Sequence, residues 1–272
     1  MAIIYEPRGM AREYSPLAAN LYRGCGHGCT YCYAPACLRM GADDFHGNPA
    51  PRANVIEGLQ KDAKKLAGTR DRVLLCFTTD PYQPCDEQHG IARQALRVLA
   101  THHIPVQILT KGGLRAIRDF DILSRMDGVF ATTLCWTNDR HRAEFEPNAA
   151  TVNSRLSALA KAHALGIPTW VSIEPAIDPD QVLDLIQNYG DCVDEWRVGR
   201  WNHDPRANAI HWDVFALQMY EALQDSGKEW LIKDALAKHL PAGLPWRSEG
   251  QGRVDAAIPN NLFDEARLGA GG

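Results

Sequence analysis

The sequence predicts an α/β protein built on a parallel sheet. Short runs rich in Val, Ile and Leu alternate with longer segments of helical period, and glycines fall at several of the joints. A parallel return needs a crossover of a dozen or more residues, and helices of this length supply it. Strands are predicted at 18–22, 73–77, 104–109, 129–134, 169–173 and 195–198, with a weaker seventh at 229–232. Helices are predicted between them at 53–66, 90–101, 114–126, 149–165, 179–188 and 212–224. Gly166 closes one helix before a strand, and Gly112-Gly113 follows another strand. Six such units describe either an open or partial (β/α) barrel or a doubly wound sheet. One domain is expected over 1–240, with an N-terminal extension at 1–16 and a core of about 17–235. The tail at 241–272 is rich in Gly and Pro with little periodicity, and is expected to pack on the domain or fray.

Composition sets limits. With 45% hydrophobic and 23% charged residues, a chain of 272 can bury a sizeable core. The formal charge of −4 gives no overall pull towards nucleic acid, so a polyanionic partner would need a local basic patch. The first residues lack the apolar run of a signal peptide, and no stretch approaches the roughly 20 apolar residues that span a bilayer. A soluble, cytoplasmic protein with no membrane partner is expected. Eight cysteines without an export signal point to thiols, metal ligands or redox chemistry rather than to disulfides.

Three of those cysteines fall together after the first strand, in Asn20-Leu-Tyr-Arg-Gly-Cys25-Gly-His-Gly-Cys29-Thr-Tyr-Cys32-Tyr-Ala-Pro. The C-x3-C-x2-C spacing on a glycine-permissive loop lets the three thiols converge. Iron–sulfur clusters take cysteine thiolates, usually four, so three would leave one iron of a [4Fe–4S] cubane open. An open iron can chelate an amine and a carboxylate, and the methionine end of S-adenosylmethionine (SAM) carries both. The rival is a zinc site with His27 as fourth ligand beside the three cysteines. Crowding of all four ligands into eight residues, at the end of a strand where α/β folds place active sites, favours the cluster.

The cysteine loop, with an aromatic before its last cysteine, resembles the radical SAM superfamily. Within it the chain is similar to the spore photoproduct lyase-like group, also called DNA repair photolyase-related. The motifs are Tyr5-Glu-Pro-Arg, Cys32-Tyr-Ala-Pro, Thr79-Asp-Pro-Tyr-Gln-Pro, Thr110-Lys111, Arg118-Asp119 and Glu146-Pro147. The resemblance implies a partial (β/α)6 TIM-type barrel, with a [4Fe–4S] cluster on Cys25, Cys29 and Cys32 and SAM across the strand ends. It implies that Tyr31 contacts adenine, that Thr78, Thr79 and Asp80 take the methionine amine, and that Lys111 holds the carboxylate. It places Thr132 near the ribose or carboxylate, and Glu174 on a ribose hydroxyl or the substrate. A flavodoxin- or ferredoxin-type reductant is implied as partner.

The lyase group uses a cysteine near the second strand and tyrosines beside the cluster as a radical relay. Tyr31 and Tyr33 flank Cys32 as that pattern wants. Phe77 stands where the pattern has cysteine, and Cys76 precedes it by one residue. One residue of offset turns a strand side chain to the other face, so Cys76 is expected to point away and Cys85 is better placed to face substrate. The stretch from Glu195 to Arg206 mixes aromatics and arginines, which suits either base stacking or a packed junction. Three functions follow: radical chemistry on a nucleobase or nucleic acid, the same chemistry on a peptide or small metabolite, or a zinc-stabilised binding protein without catalysis.

Overall fold

A computed structural model describes residues 2–246. Eight strands among them form one sheet: β1 (Ile4–Tyr5), β2 (Leu17–Ala19), β5 (Val73–Leu75), β6 (Val106–Thr110), β7 (Gly128–Thr133), β8 (Thr169–Ala176), β9 (Glu195–Arg200) and β10 (Glu229–Ile232). Two short strands, β3 (Tyr22–Arg23) and β4 (Ala50–Pro51), pair antiparallel beside it. Strand β1 runs antiparallel to β2, and every other neighbour in the large sheet is parallel. From β2 the spatial order follows the chain order through β10. Each crossover therefore returns to the adjacent position, as in a barrel, whereas a doubly wound sheet reverses at a switch point. Among the described residues β10 pairs only with β9, which leaves a partial barrel.

Five of the six predicted helices form where the periodicity placed them. In Val55–Lys65 the buried residues Val55, Leu59 and Ala63 recur every four positions and face the sheet. Thr151 caps Val152–Ala164 by accepting from Ser154 N, and Asp178 caps Pro179–Asn188 through Gln181 N. Gly166, at φ +71°, ends the former. The weak seventh strand is real, pairing in register with β9 from Glu229 to Ile232.

One expectation changes, and the structure adds to two others. The helix predicted at 114–126 is a 3-10 segment, Gly113–Asp119, followed by a short α-helix, Phe120–Leu123. The break falls at Asp119, whose buried carboxylate is bound by Arg93 Nη1 at 2.9 Å, a tertiary contact that helical period does not register. Strand β1 is too short to show a pattern; Asp62 Oδ2 fixes it by accepting from Ile3 N at 2.6 Å and Ile4 N at 3.1 Å. Of the predicted tail, Leu244 is buried and Trp246 packs against the main core, and 247–272 lie outside the described residues.

Candidate active site

The carboxyl ends of the parallel strands surround a cavity of about 440 Å³, within the size range of small-molecule sites. Cys25, Cys29 and Cys32 line it together. Backbone contacts from several directions hold their loop. Cys25 N donates to Phe45 O at 2.9 Å, Thr30 N to Phe145 O at 2.9 Å, and Asn148 N to His27 O at 3.1 Å. Buried Gln83 accepts from Gly26 N at 2.7 Å and donates to Gly24 O at 3.3 Å. Gly24 has φ +79°, and a Cβ there would lie 2.4 Å from Phe45 O, so the close approach requires glycine. Burial pushes the Cys29 thiol up to about 12 and raises Cys25 and Cys32 as well.

His27 does not join the cysteines as the zinc reading expected. Its Nε2 lies 3.1 Å from Asp80 Oδ2, its Nδ1 is 3.4 Å from Asn148 O, and the ring is buried. Among the described residues no three His, Cys, Asp or Glu side chains converge closely enough to hold a single metal ion. Three thiols without an imidazole suit a cluster that spreads its ligands over separate irons.

Opposite the loop, Lys111 closes β6 and lines the cavity. Its ammonium sits 5.7 Å over the Tyr31 ring and makes no ion pair with a carboxylate among the described residues. Burial works against its charge, but Cys29 and Glu146 outweigh this and raise its pKa. Such a cation is ready for a ligand carboxylate. The Tyr31 hydroxyl donates to Glu146, whose other oxygen accepts from Arg155, and both charged side chains are fully buried.

At the turn after β5, Thr78, Thr79 and Asp80 all reach the cavity, but not equally. Asp80 Oδ1 accepts from Thr110 Oγ1 at 2.6 Å and Tyr82 N at 2.8 Å, and Oδ2 from Lys111 N at 2.7 Å, with His27 beyond. Its carboxylate is thus occupied within the fold rather than held open for an amine. Thr79 Oγ1 is the opposite case, a buried oxygen without a protein partner. That orphan fits an added donor, as a bound amine would be.

Two further expectations shift. Thr132 points away from the cavity and donates to Thr110 O at 2.7 Å, while its neighbour Thr133 lines the cavity, because successive strand residues face opposite sides. Cys76 lines the cavity and Cys85 does not. Strand β5 stops at Leu75, so the alternation that turned Cys76 away no longer applies at that position. Cys85 packs against the main core ahead of Asp86–His89, and burial together with the Asp86 charge pushes its thiol up to about 11.

In the far half of the cavity, Glu174 and Tyr33 meet groups the sequence did not mark. Glu174 Oε2 accepts from Tyr14 and from Lys233 Nζ at 2.6 Å, and that ammonium lies 3.3 Å from the centre of the Tyr14 ring. Ser172 and Asn202 line the same half. Tyr33, Phe77 and Tyr14 form a run of rings with centroids 6.1 and 5.7 Å apart. Counting faces back from the end of β7 would have found Thr133, and Lys233 stood at the end of the weak strand; Tyr14 carried no signal. In the arginine-rich stretch, Arg197 bonds Glu195 at 2.9 Å and lies 4.1 Å from the Trp170 ring, while Arg200 lies 5.0 Å from Trp212. Both arginines stack on core tryptophans, and Arg200 also lines the cavity.

An open parallel barrel whose strand ends carry a three-cysteine loop, a half-buried lysine and an unpartnered threonine hydroxyl defines an α/β protein with a cavity at its carboxyl mouth. The chain belongs to the Radical SAM superfamily, whose family profile matches residues 19–193. It is similar to an uncharacterized protein of Mycobacterium tuberculosis, 26% identical over 184 residues, covering 65% of this chain and 52% of that one. An uncharacterized protein of Methanocaldococcus jannaschii is 25% identical over 164 residues, covering 60% and 61%. The chain thus spans about half the length of the mycobacterial relative and three-fifths of the archaeal one. A solved structure of spore photoproduct lyase complexed with dinucleoside spore photoproduct superposes with a TM-score of 0.60 at 16% identity, covering 84% of this chain and 78% of that one. Streptococcus suis SuiB bound to SAM gives 0.60 at 10% identity, covering 82% and 51%. These likenesses establish the fold, a partial barrel of the radical SAM type.

Proposed function

We propose that the domain over 1–240 is a radical SAM enzyme that removes a hydrogen atom from a nucleobase or nucleic acid. The observation that carries this is the meeting of Cys25, Cys29, Cys32 and the Lys111 ammonium on one cavity. A [4Fe–4S] cluster held by those three cysteines would supply the one-electron reductive cleavage of bound SAM that starts hydrogen abstraction. The chain's own residues bind and aim. The three cysteine thiolates hold the cluster, and Lys111 pairs with the SAM carboxylate. Thr78 and Thr79 accept from its amine, while Asp80 keeps that turn in place. Tyr31 packs against the adenine, and Thr133 replaces Thr132 as the hydroxyl on that wall.

The far half then receives the substrate. The wall of Tyr33, Phe77 and Tyr14 suits a flat ring, and Glu174, Asn202 and Ser172 offer hydrogen bonds beside it. The dinucleoside bound to the similar lyase structure points the same way. Cys76, on the cavity wall together with Cys37, is a thiol available to return a hydrogen atom; Cys85 is not. A flavodoxin- or ferredoxin-type protein serves as electron donor.

The test is anaerobic reconstitution with iron and sulfide, then SAM cleavage under dithionite. Wild type should form 5′-deoxyadenosine and Cys29→Ala should not. A colourless wild type that leaves SAM intact would refute the reading. Stimulation of turnover by a peptide pool but not by oligonucleotides would move the substrate to another class.

A further inference from the structure

Glu146-Pro147 stands out in the sequence without a role in binding or chemistry, and its surroundings supply one. Glu146 and Arg155 form an ion pair with neither side chain exposed. Arg155 spends its other donors on Thr133 O at 2.8 Å and Ala150 O at 3.0 Å, so it ties the end of β7 to the helix that follows. Glu146 divides its carboxylate between Arg155 and the Tyr31 hydroxyl. The flanking residues grip the cysteine loop through Thr30 N to Phe145 O at 2.9 Å and Asn148 Nδ2 to Gly26 O at 3.1 Å.

The charges matter as much as the grip. Tyr31 stands two residues from Cys29: its hydroxyl donates to Glu146, whose other oxygen is held by Arg155, and the Lys111 ammonium lies 5.7 Å from its ring. Glu146 is itself held low despite burial by Arg155, Lys111 and Tyr31. Two cations and one anion therefore lie close behind the cysteine loop, and Glu146 and Arg155 are wholly buried, where charge acts strongly.

We propose that Glu146 and Arg155 are positioning residues for the cofactor half of the cavity, orienting Tyr31 through its hydroxyl and together setting the charge beside Cys29. This rests on the cluster reading above. Removing the anion should make the cluster easier to reduce, and removing the cation should make it harder. A clamp with no electrostatic role has no reason to give opposite signs.

The experiment is a redox titration of reconstituted wild type, Glu146→Gln, Arg155→Met and the double variant, with iron and sulfide counted per chain. The expected result is a midpoint more positive than wild type for Glu146→Gln, more negative for Arg155→Met, and close to wild type for the double variant. Tyr31→Phe keeps every charge; it should leave the midpoint in place and weaken SAM binding several-fold. Single variants that shift in the same direction, or not at all, overturn the proposal. Should either single variant fail to load iron, loading regained in the double variant supports charge balance, and loss in all three overturns it in favour of a purely structural clamp. Failure of wild type to take up iron and sulfide would instead count against the cluster reading itself.

Discussion

His27 Nε2 lies 3.1 Å from Asp80 Oδ2, with both side chains almost fully buried. The same Asp80 carboxylate accepts from Thr110 Oγ1 and from Lys111 N. One acidic group thus ties the cysteine loop, the turn after β5 and the end of β6 together, and fixes the backbone from which Lys111 projects.

Asp80 should make stability depend on acid. Burial alone would raise its pKa, but His27, Thr110 and Lys111 N more than reverse this and hold it well below the usual carboxylate range. A folded pKa below the unfolded value of about 3.9 gives stability that is present above that pH and is lost as pH falls towards the folded value. Asp80→Ala should cost about 3–5 kcal/mol at neutral pH, measured by urea unfolding. The gap from wild type should narrow below about pH 4. A gap that stays constant with pH would contradict this account.

Lys111→Met should weaken SAM binding without emptying the metal site. A hydrogen bond to a charged group contributes about 1.5–3 kcal/mol, or roughly 10- to 100-fold in Kd. Equilibrium binding to the reconstituted protein reads the affinity, and the iron count serves as control. Unchanged affinity would remove Lys111 from the carboxylate site.

Gly24→Ala tests the cysteine loop directly. The left-handed backbone costs a side chain about 1–2 kcal/mol, and the new methyl would also press on Phe45 O. Lower thermal stability and incomplete cluster loading are expected. Full loading at wild-type stability would mean that the loop relaxes freely.

Lys233 and Glu174 can be separated by a double-variant cycle. Lys233→Met leaves a largely buried carboxylate without its cation and should cost about 3–5 kcal/mol. Adding Glu174→Gln should recover much of that loss, since the remaining groups are neutral. Additive losses in thermal unfolding would show that the two residues act independently.

Several site residues were legible because their signals are local. The three cysteines announce themselves by spacing, Thr79 by the turn that follows an apolar run, and Lys111 by ending another such run. Thr132 was implied by the resemblance alone, and on a strand one position decides the face, so its neighbour Thr133 reaches the cavity instead. Cys85 failed because a loop residue two turns beyond a strand can fold back onto the core, as this one does.

The sequence by itself determined the alternation of strands and helices, the helix caps and the cysteine loop, since each depends on residues within a few positions of one another. Only the tertiary structure decided that the sheet curls into a partial barrel, that His27 serves Asp80 rather than a metal, and that Tyr14, Glu174 and Lys233 meet. Those last contacts join residues 160 and 59 positions apart. Periodicity and spacing carry no information over such distances, because chain closure and strand order, not local propensity, bring the partners together.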